Sequence, residues 1–211
     1  HIAEGRRIVL TKCGYCHRSP EGTLSGDLWG DDPMFGKIWA ANLTHHPTAG
    51  IGNYTGGELA YLLRTGIKKD GKFAGPFMMF PTMTDEDLAS VIAFLKSDAP
   101  EVQPSDWQKP PAQLTFLAKM WLKVLVKPSE YSDKPIVTPS PADSIAYGKY
   151  LTTSKWECSL CHSESFETYN HFEPEKSPGY LGGGNLVGKK NEKPVPSANL
   201  TPDKETGLGN W

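Results

Sequence analysis

The sequence predicts an all-α chain made of two copies of one small, glycine-rich unit, joined by a proline-rich linker that carries one amphipathic helix. Three observations lead there: two Cys-x-x-Cys-His pentapeptides far apart, loop residues recurring at matched offsets behind each, and apolar residues at helical rather than alternating spacing. The 21 glycines and 18 prolines among 211 residues mark a loop-rich chain, well above the ~12% of an average protein. With 22 Lys+Arg against 24 Asp+Glu the net charge is -2, which argues against a nucleic-acid partner. No apolar run reaches the ~18 residues of a membrane helix, and no signal-like segment is present. The chain opens at His1 rather than at methionine, so an upstream piece is expected to be missing. Membrane anchoring through such a segment stays open.

All four cysteines lie in Cys13-Gly14-Tyr15-Cys16-His17 and Cys158-Ser159-Leu160-Cys161-His162. This spacing suits covalent haem c: two thiols can each form a thioether with one porphyrin while the next residue turns its imidazole to the iron. A four-thiolate zinc site fits poorly, because its pairs usually lie about 15 to 20 residues apart. A thioredoxin-like pair would need a βαβ surrounding that neither copy has.

In chain order, residues 3–12 suit a short helix delivering Cys13. Asn42-Leu43-Thr44 recurs as Asn199-Leu200-Thr201, followed in register by Gly50 or Gly207 and by Gly52-Asn53-Tyr54 or Gly209-Asn210-Trp211. Thr55 and Glu58 have capping-box spacing ahead of Leu59, Leu62 and Leu63. Thr84 can cap a further helix whose first turn holds Asp85, Glu86 and Asp87, with Leu88, Val91, Ile92 and Leu95 along its core face. Four prolines from Pro100 to Pro111 and four more from Pro128 to Pro141 then bound a linker. Within it Leu114, Leu117, Ala118, Trp121, Leu122 and Leu125 form one stripe, expected to pack against a domain, with Lys119 and Lys123 opposite. The second copy opens with Ile145, Gly148 and Leu151. It spans 41 residues from Cys158 to Asn199 against 29 from Cys13 to Asn42, the extra twelve being expected in an enlarged loop containing Gly182-Gly183-Gly184.

His17 and His162 are the expected proximal iron ligands. Met78 and Met79 compete for the sixth position of the first iron; Met83 leads into the Thr84 cap and is expected to pack there. As neighbours in an extended loop, Met78 and Met79 point apart, so only one can face the metal. His45 and His46 stand where the second copy has Pro202 and Asp203, which marks a tolerant loop. His171 is the nearest alternative ligand for the second iron, a surface role being the commoner one for such a residue.

Gly50-Ile51-Gly52, Gly75-Pro76-Phe77-Met78 and Thr84-Asp85-Glu86-Asp87-Leu88, set around Cys13 to His17, resemble the class I cytochrome c domains of bacterial multihaem electron-transfer proteins, including cytochrome subunits of membrane-bound dehydrogenases. The second copy, through Asn199 to Trp211, resembles the same domain. The resemblance implies two tandem cytochrome c domains, at 1–98 and 142–211, with 99–141 as linker. It maps the ligating methionine to Met78, two residues after Pro76, while Met79 replaces a proline common in the family and keeps the alternative alive. It further implies a dihaem c-type cytochrome with two haem c groups, held through Cys13, Cys16, Cys158 and Cys161. Such a chain passes single electrons outside the cytoplasm, in a bacterial periplasm, between redox partners that include a membrane-bound respiratory or dehydrogenase complex. It would be a carrier or subunit rather than a catalyst; the alternative is a dihaem peroxidase. Because Tyr54 corresponds to Trp211, and Met120 is the last methionine, the second domain is expected to be truncated, its sixth ligand lying beyond Trp211 in a continuation of roughly 40 residues or more.

Overall fold

The structure, a computed structural model, describes residues 1–188 and 193–211. It divides into two compact units, His1–Ile136 and Val137–Trp211.

In the first unit helix α1 (Ile2–Ile8) runs through a π-helical turn (Val9–Cys13) directly into the short helix α2 (Gly14–His17). The first pentapeptide is thus held on continuous helical backbone. Helix α3 (Gly56–Thr65) begins at Thr55, which forms a complete capping box with Glu58 and so satisfies two otherwise orphaned amide donors. Helix α4 (Asp85–Leu95) begins at Thr84, whose hydroxyl accepts from the Asp87 N–H, with three acids at the positive end of the helix. Helices α1 and α4 cross where only glycine fits: a Cβ on Gly5 would lie 1.8 Å from the Ser90 carbonyl oxygen. That close approach buries Ile8, Val9 and Phe94 completely and Val91 and Leu95 almost so.

Two polar devices fasten loops to this core. The buried Arg64 guanidinium, on α3, donates to the carbonyls of Phe80 (3.3 Å) and Met83 and to Asp85 Oδ1 at 2.6 Å, tying the methionine-bearing loop to both helices. Residues beyond α4 fold back as well: Glu101 accepts from Leu24 N–H through its backbone at 2.7 Å, and Val102 from His45 N–H at 2.9 Å. The Glu101 carboxylate, buried, accepts from Arg6 Nε at 3.0 Å and from Arg6 Nη2. This pairing holds its pKa below the usual carboxylate range.

The expected all-α class is wrong. Strands β1 (Leu28–Asp32), β2 (Gly36–Trp39) and β3 (Gln113–Leu114) form a three-stranded antiparallel sheet in that order, and β4 (Leu186–Val187) pairs with β5 (Val195–Pro196) in the second unit. These strands are too short, and β1 is too irregular, with a register shift between Leu28 and Gly30, to show a period-two pattern.

The expected pair of tandem cytochrome c domains is also not found. The second unit contains helix α6 (Ser144–Tyr150), a π-helical turn (Leu151–Lys155), a short helix α7 (Cys158–Cys161) and the β4–β5 pair. It repeats the pentapeptide and the loop behind it, but among the described residues it has no counterpart of α3 or α4.

The linker helix forms as α5 (Phe116–Val124), capped by Thr115, but its stripe does not pack as expected. Ala118 is buried while Leu117 and Leu125 are 62% and 70% exposed, because the contact is made through Ala118 and through Trp121, whose ring stands edge-on to Phe35 at 5.8 Å.

Glu101→Gln tests the first fastening. A carboxylate with a lowered pKa contributes stability that is full above its unfolded pKa and fades as pH falls through the folded one. Urea unfolding at pH 7 is expected to show a loss of about 1 kcal/mol, Arg6 being half exposed. As pH falls through the lowered pKa of the Glu101 carboxyl, which loses its charge there, the difference from the parent chain should shrink.

Candidate functional site

Each pentapeptide ends in a histidine whose ring is held by one backbone carbonyl. His17 Nδ1 lies 2.7 Å from the Ala41 oxygen, and His162 Nδ1 lies 2.7 Å from the Ala198 oxygen. A carbonyl oxygen can only accept, so Nδ1 carries the proton in both rings and Nε2 keeps its lone pair. Burial pushes the His17 pKa down against the opposing effect of the Ala41 bond, which keeps that ring neutral and its lone pair available. The four cysteines are half-buried and none is in a disulfide. Burial raises the pKa of both Cys158 and Cys161. Two thiols one helical turn apart, followed by an imidazole with a bare Nε2, form a donor set that fits covalent haem with axial histidine.

The surroundings of the two histidines repeat bond for bond. The His17 carbonyl accepts from Gly26 N–H at 2.8 Å, and the His162 carbonyl from Gly183 N–H at 2.9 Å. Leu43 N–H donates to Leu24 and Leu200 N–H to Leu181, both at 2.8 Å. Asn42 Oδ1 accepts from the backbone and hydroxyl of Thr44 at 2.9 and 2.6 Å; Asn199 does the same for Thr201 at 2.8 and 2.7 Å. Ile51 to Thr44 and Leu208 to Thr201, each 2.8 Å, close the loop. The shared Asn-Leu-Thr is therefore a side-chain-nucleated turn that aims the preceding alanine carbonyl at the imidazole.

Gly26 and Gly183 serve this aim from the other side. Both have positive φ, +91° and +74°. A Cβ on Gly26 would lie 2.5 Å from the Ala40 oxygen and 2.9 Å from that of Ala41; on Gly183 it would lie 2.5 and 2.6 Å from those of Ser197 and Ala198. The middle member of the glycine triplet is thus explained, and Gly184, at φ +95°, also takes a conformation that favours glycine. The twelve extra residues fall before it, between His162 and Leu181. There Tyr169, buried, makes a 2.7 Å hydrogen bond with Ser159 Oγ inside the second pentapeptide, and Lys149 pairs with Glu175 at 2.5 Å.

Sequence reasoning missed the two alanine carbonyls and the two glycines. The signal was present: the repeat is Ala-Asn-Leu-Thr in both copies, and Leu24-Ser25-Gly26 matches Leu181-Gly182-Gly183.

In the methionine loop Pro76–Met78 makes one 3₁₀ turn. Met78 is half-buried, Met79 is 2% exposed, and Met83 is buried at the Thr84 cap. Phe77 packs against Trp29 of β1 with ring centroids 5.5 Å apart. His45 donates through Nε2 to the Leu95 carbonyl at 2.8 Å, and His46 Nδ1 accepts from Ala49 N–H at 3.0 Å, so both are engaged in holding loops. The His171 ring stands edge-on to Tyr169 at 5.0 Å. A cleft of about 350 Å³ beside Arg64, Asp85 and Tyr131 contains none of the cysteines or their histidines.

The cytochrome c family model matches residues 2–98. Over 211 residues the chain is 31% identical to the cytochrome c subunit of alcohol dehydrogenase (quinone) of Gluconacetobacter polyoxogenes, an alignment covering 96% of this chain and 43% of that one. It is 28% identical over 219 residues to the fructose dehydrogenase cytochrome subunit of Gluconobacter japonicus, covering 100% and 42%. Over 211 residues it is 28% identical to the gluconate 2-dehydrogenase cytochrome c subunit of Pantoea cypripedii, covering 94% and 45%. The chain spans less than half the length of these relatives.

Gly26→Ala and Gly183→Ala should each destabilise their own unit by about 2 kcal/mol, since the new Cβ meets backbone oxygens at a φ that alanine resists. Urea unfolding measures this, and an unchanged midpoint in either variant would show that the glycine is not required.

Proposed function

We propose, from the match of residues 2–98 to the cytochrome c family model, that the chain carries two covalent haem c groups and passes single electrons as part of a dehydrogenase complex. The observation that carries the second haem is the duplicated bond from histidine Nδ1 to an alanine carbonyl, with the same glycine, leucine, asparagine and threonine contacts around it. In this reading Cys13 and Cys16 hold one haem and Cys158 and Cys161 the other, with His17 and His162 as proximal ligands through Nε2. The proposal concerns two attachment sites and does not require the second unit to have the complete fold of the first.

Bound haem c supplies reversible one-electron exchange at iron. The residues of the chain do the rest. The alanine carbonyls hold each imidazole in one tautomer and orientation, as hydrogen-bond acceptors beside a metal-bound histidine do. Met79 is committed to the core, whereas Met78 keeps part of its surface accessible, which supports Met78 as sixth ligand of the first iron. A soft thioether there raises the potential relative to a second imidazole. The dehydrogenase subunits it resembles favour a carrier over a peroxidase. They also support a redox enzyme as donor, while covalent attachment of haem through paired thiols supports an extracytoplasmic site of action. No helix among the described residues is long and apolar enough to cross a membrane.

Acidic organic solvent should leave both haems on the denatured chain, and intact mass should fall by one haem in Cys13→Ala/Cys16→Ala and by one in Cys158→Ala/Cys161→Ala. Complete extraction of haem would refute the reading.

Met78→Ala should keep the first haem attached, abolish the thioether-to-iron charge-transfer band and lower that haem's potential. If Met79→Ala does so instead, the ligand is Met79.

A further inference from the structure

We infer that helix α5 is a docking face for an anionic lipid surface. The helix is fastened along one side only. β3 pairs with β2 just before it, Thr115 caps it and bonds to the Met34 carbonyl, Ala118 is buried, and Trp121 meets Phe35. The other side presents Phe116, Leu117, Met120 and Val124, which are between 52% and 76% exposed. Met34 stands exposed beside the cap. At 100° per residue Phe116, Met120, Val124 and Leu117 fall within one outward arc, so this is a single apolar strip rather than scattered exposure.

The charge around the strip has one sign. From Trp107 to Ser129 the chain has no Asp or Glu, although it carries 24 acids in all. Lys119 and Lys123 are exposed along one edge of the strip and Lys127 is exposed just beyond the helix end, and among the described residues none of them forms an ion pair. An apolar strip edged by unpaired lysines matches a bilayer surface, where the aliphatic side chains enter the acyl boundary and the ammonium groups stay among anionic headgroups.

Two other occupants fit less well. A second copy of the chain would bring Lys119 and Lys123 against their own counterparts. A folded protein partner would need directed hydrogen bonds at about one per 100–200 Å², and the strip offers no neutral polar side chain to make them. The helix, nine residues long, spans only about 13 Å and therefore lies on a bilayer rather than crossing it. The inference is independent of how many haems the chain binds.

Flotation of the haem-loaded chain with vesicles tests it. Vesicles of phosphatidylcholine with phosphatidylglycerol should carry the protein, and pure phosphatidylcholine vesicles should carry at least about tenfold less, because the lysines then lose their partner. Phe116→Gln/Met120→Gln/Val124→Gln should weaken partition to the anionic vesicles by at least about tenfold while leaving the haem spectrum and circular dichroism unchanged. Should that variant misfold, Lys119→Glu/Lys123→Glu, altered only at exposed positions, is expected to give the same loss. No binding by the parent chain, binding indifferent to lipid charge, or binding that survives either folded variant would overturn the inference. So would a dimer that forms without vesicles and dissolves in the triple variant, which would assign the strip to a second copy.

Discussion

The hydrogen bond from histidine Nδ1 to a backbone carbonyl is the constraint around which both attachment loops are built. A side chain at the end of a short helix must meet one particular oxygen 24 residues later in the first unit and 36 later in the second, and the distance is 2.7 Å in both. Three conditions make this repeatable. An asparagine folds its own backbone into a turn that presents the preceding carbonyl, a glycine at positive φ lets that carbonyl approach, and a leucine-to-leucine backbone bond sets the spacing. None depends on the length of chain in between. Extending the loop from 24 to 36 residues adds only about 0.4 kcal/mol of closure entropy, less than one of the repeated hydrogen bonds contributes.

The first unit then locks this loop from outside. Asn42, 2% exposed, not only nucleates its turn but donates through Nδ2 to the carbonyls of Ser105 and Trp107 at 2.8 and 3.1 Å. Glu101 reaches α1 through Arg6 and the loop behind the first pentapeptide through the Leu24 amide. Segments that composition marks as linker thereby become structural, and the crossing at Gly5 brings α4 close enough for them to reach. In the second unit Asn199 Nδ2 turns instead to Thr206 within its own loop, at 2.8 Å, and the packing against the pentapeptide comes from the inserted residues through Tyr169 and Ser159.

What the sequence made legible was whatever a single residue type must do locally. The Cys-x-x-Cys-His pairs, the Thr55 capping box, the Thr84 cap and the core face of α4 are each set by spacing over a few positions. The sheets were not legible, because β3, β4 and β5 are two-residue strands whose existence depends on distant partners. The outward turn of α5 was hidden for a related reason. Periodicity identifies a stripe but not which part of it meets the protein, and here Phe35 and the β2–β3 pairing chose the Ala118 side. The glycine triplet misled in the same way: three glycines look like slack, whereas Gly183 is demanded by two carbonyl oxygens and Gly184 by its φ of +95°.

With the inner geometry of the two histidines the same, their environments are what differ. His17 is 5% exposed and His162 only half-buried. Tyr169 places a hydroxyl beside the second pentapeptide, and its own pKa is raised by burial. Under the two-haem proposal, a duplicated loop that keeps one hydrogen bond fixed while varying burial and nearby polarity would hold two haems equally firmly yet tune them apart, since exposure and hydrogen bonding are among the levers that set a haem potential. The insertion before Leu181 acts on that second lever without disturbing the first, because it enters where the chain is free to lengthen and leaves the Ala198 carbonyl where His162 requires it.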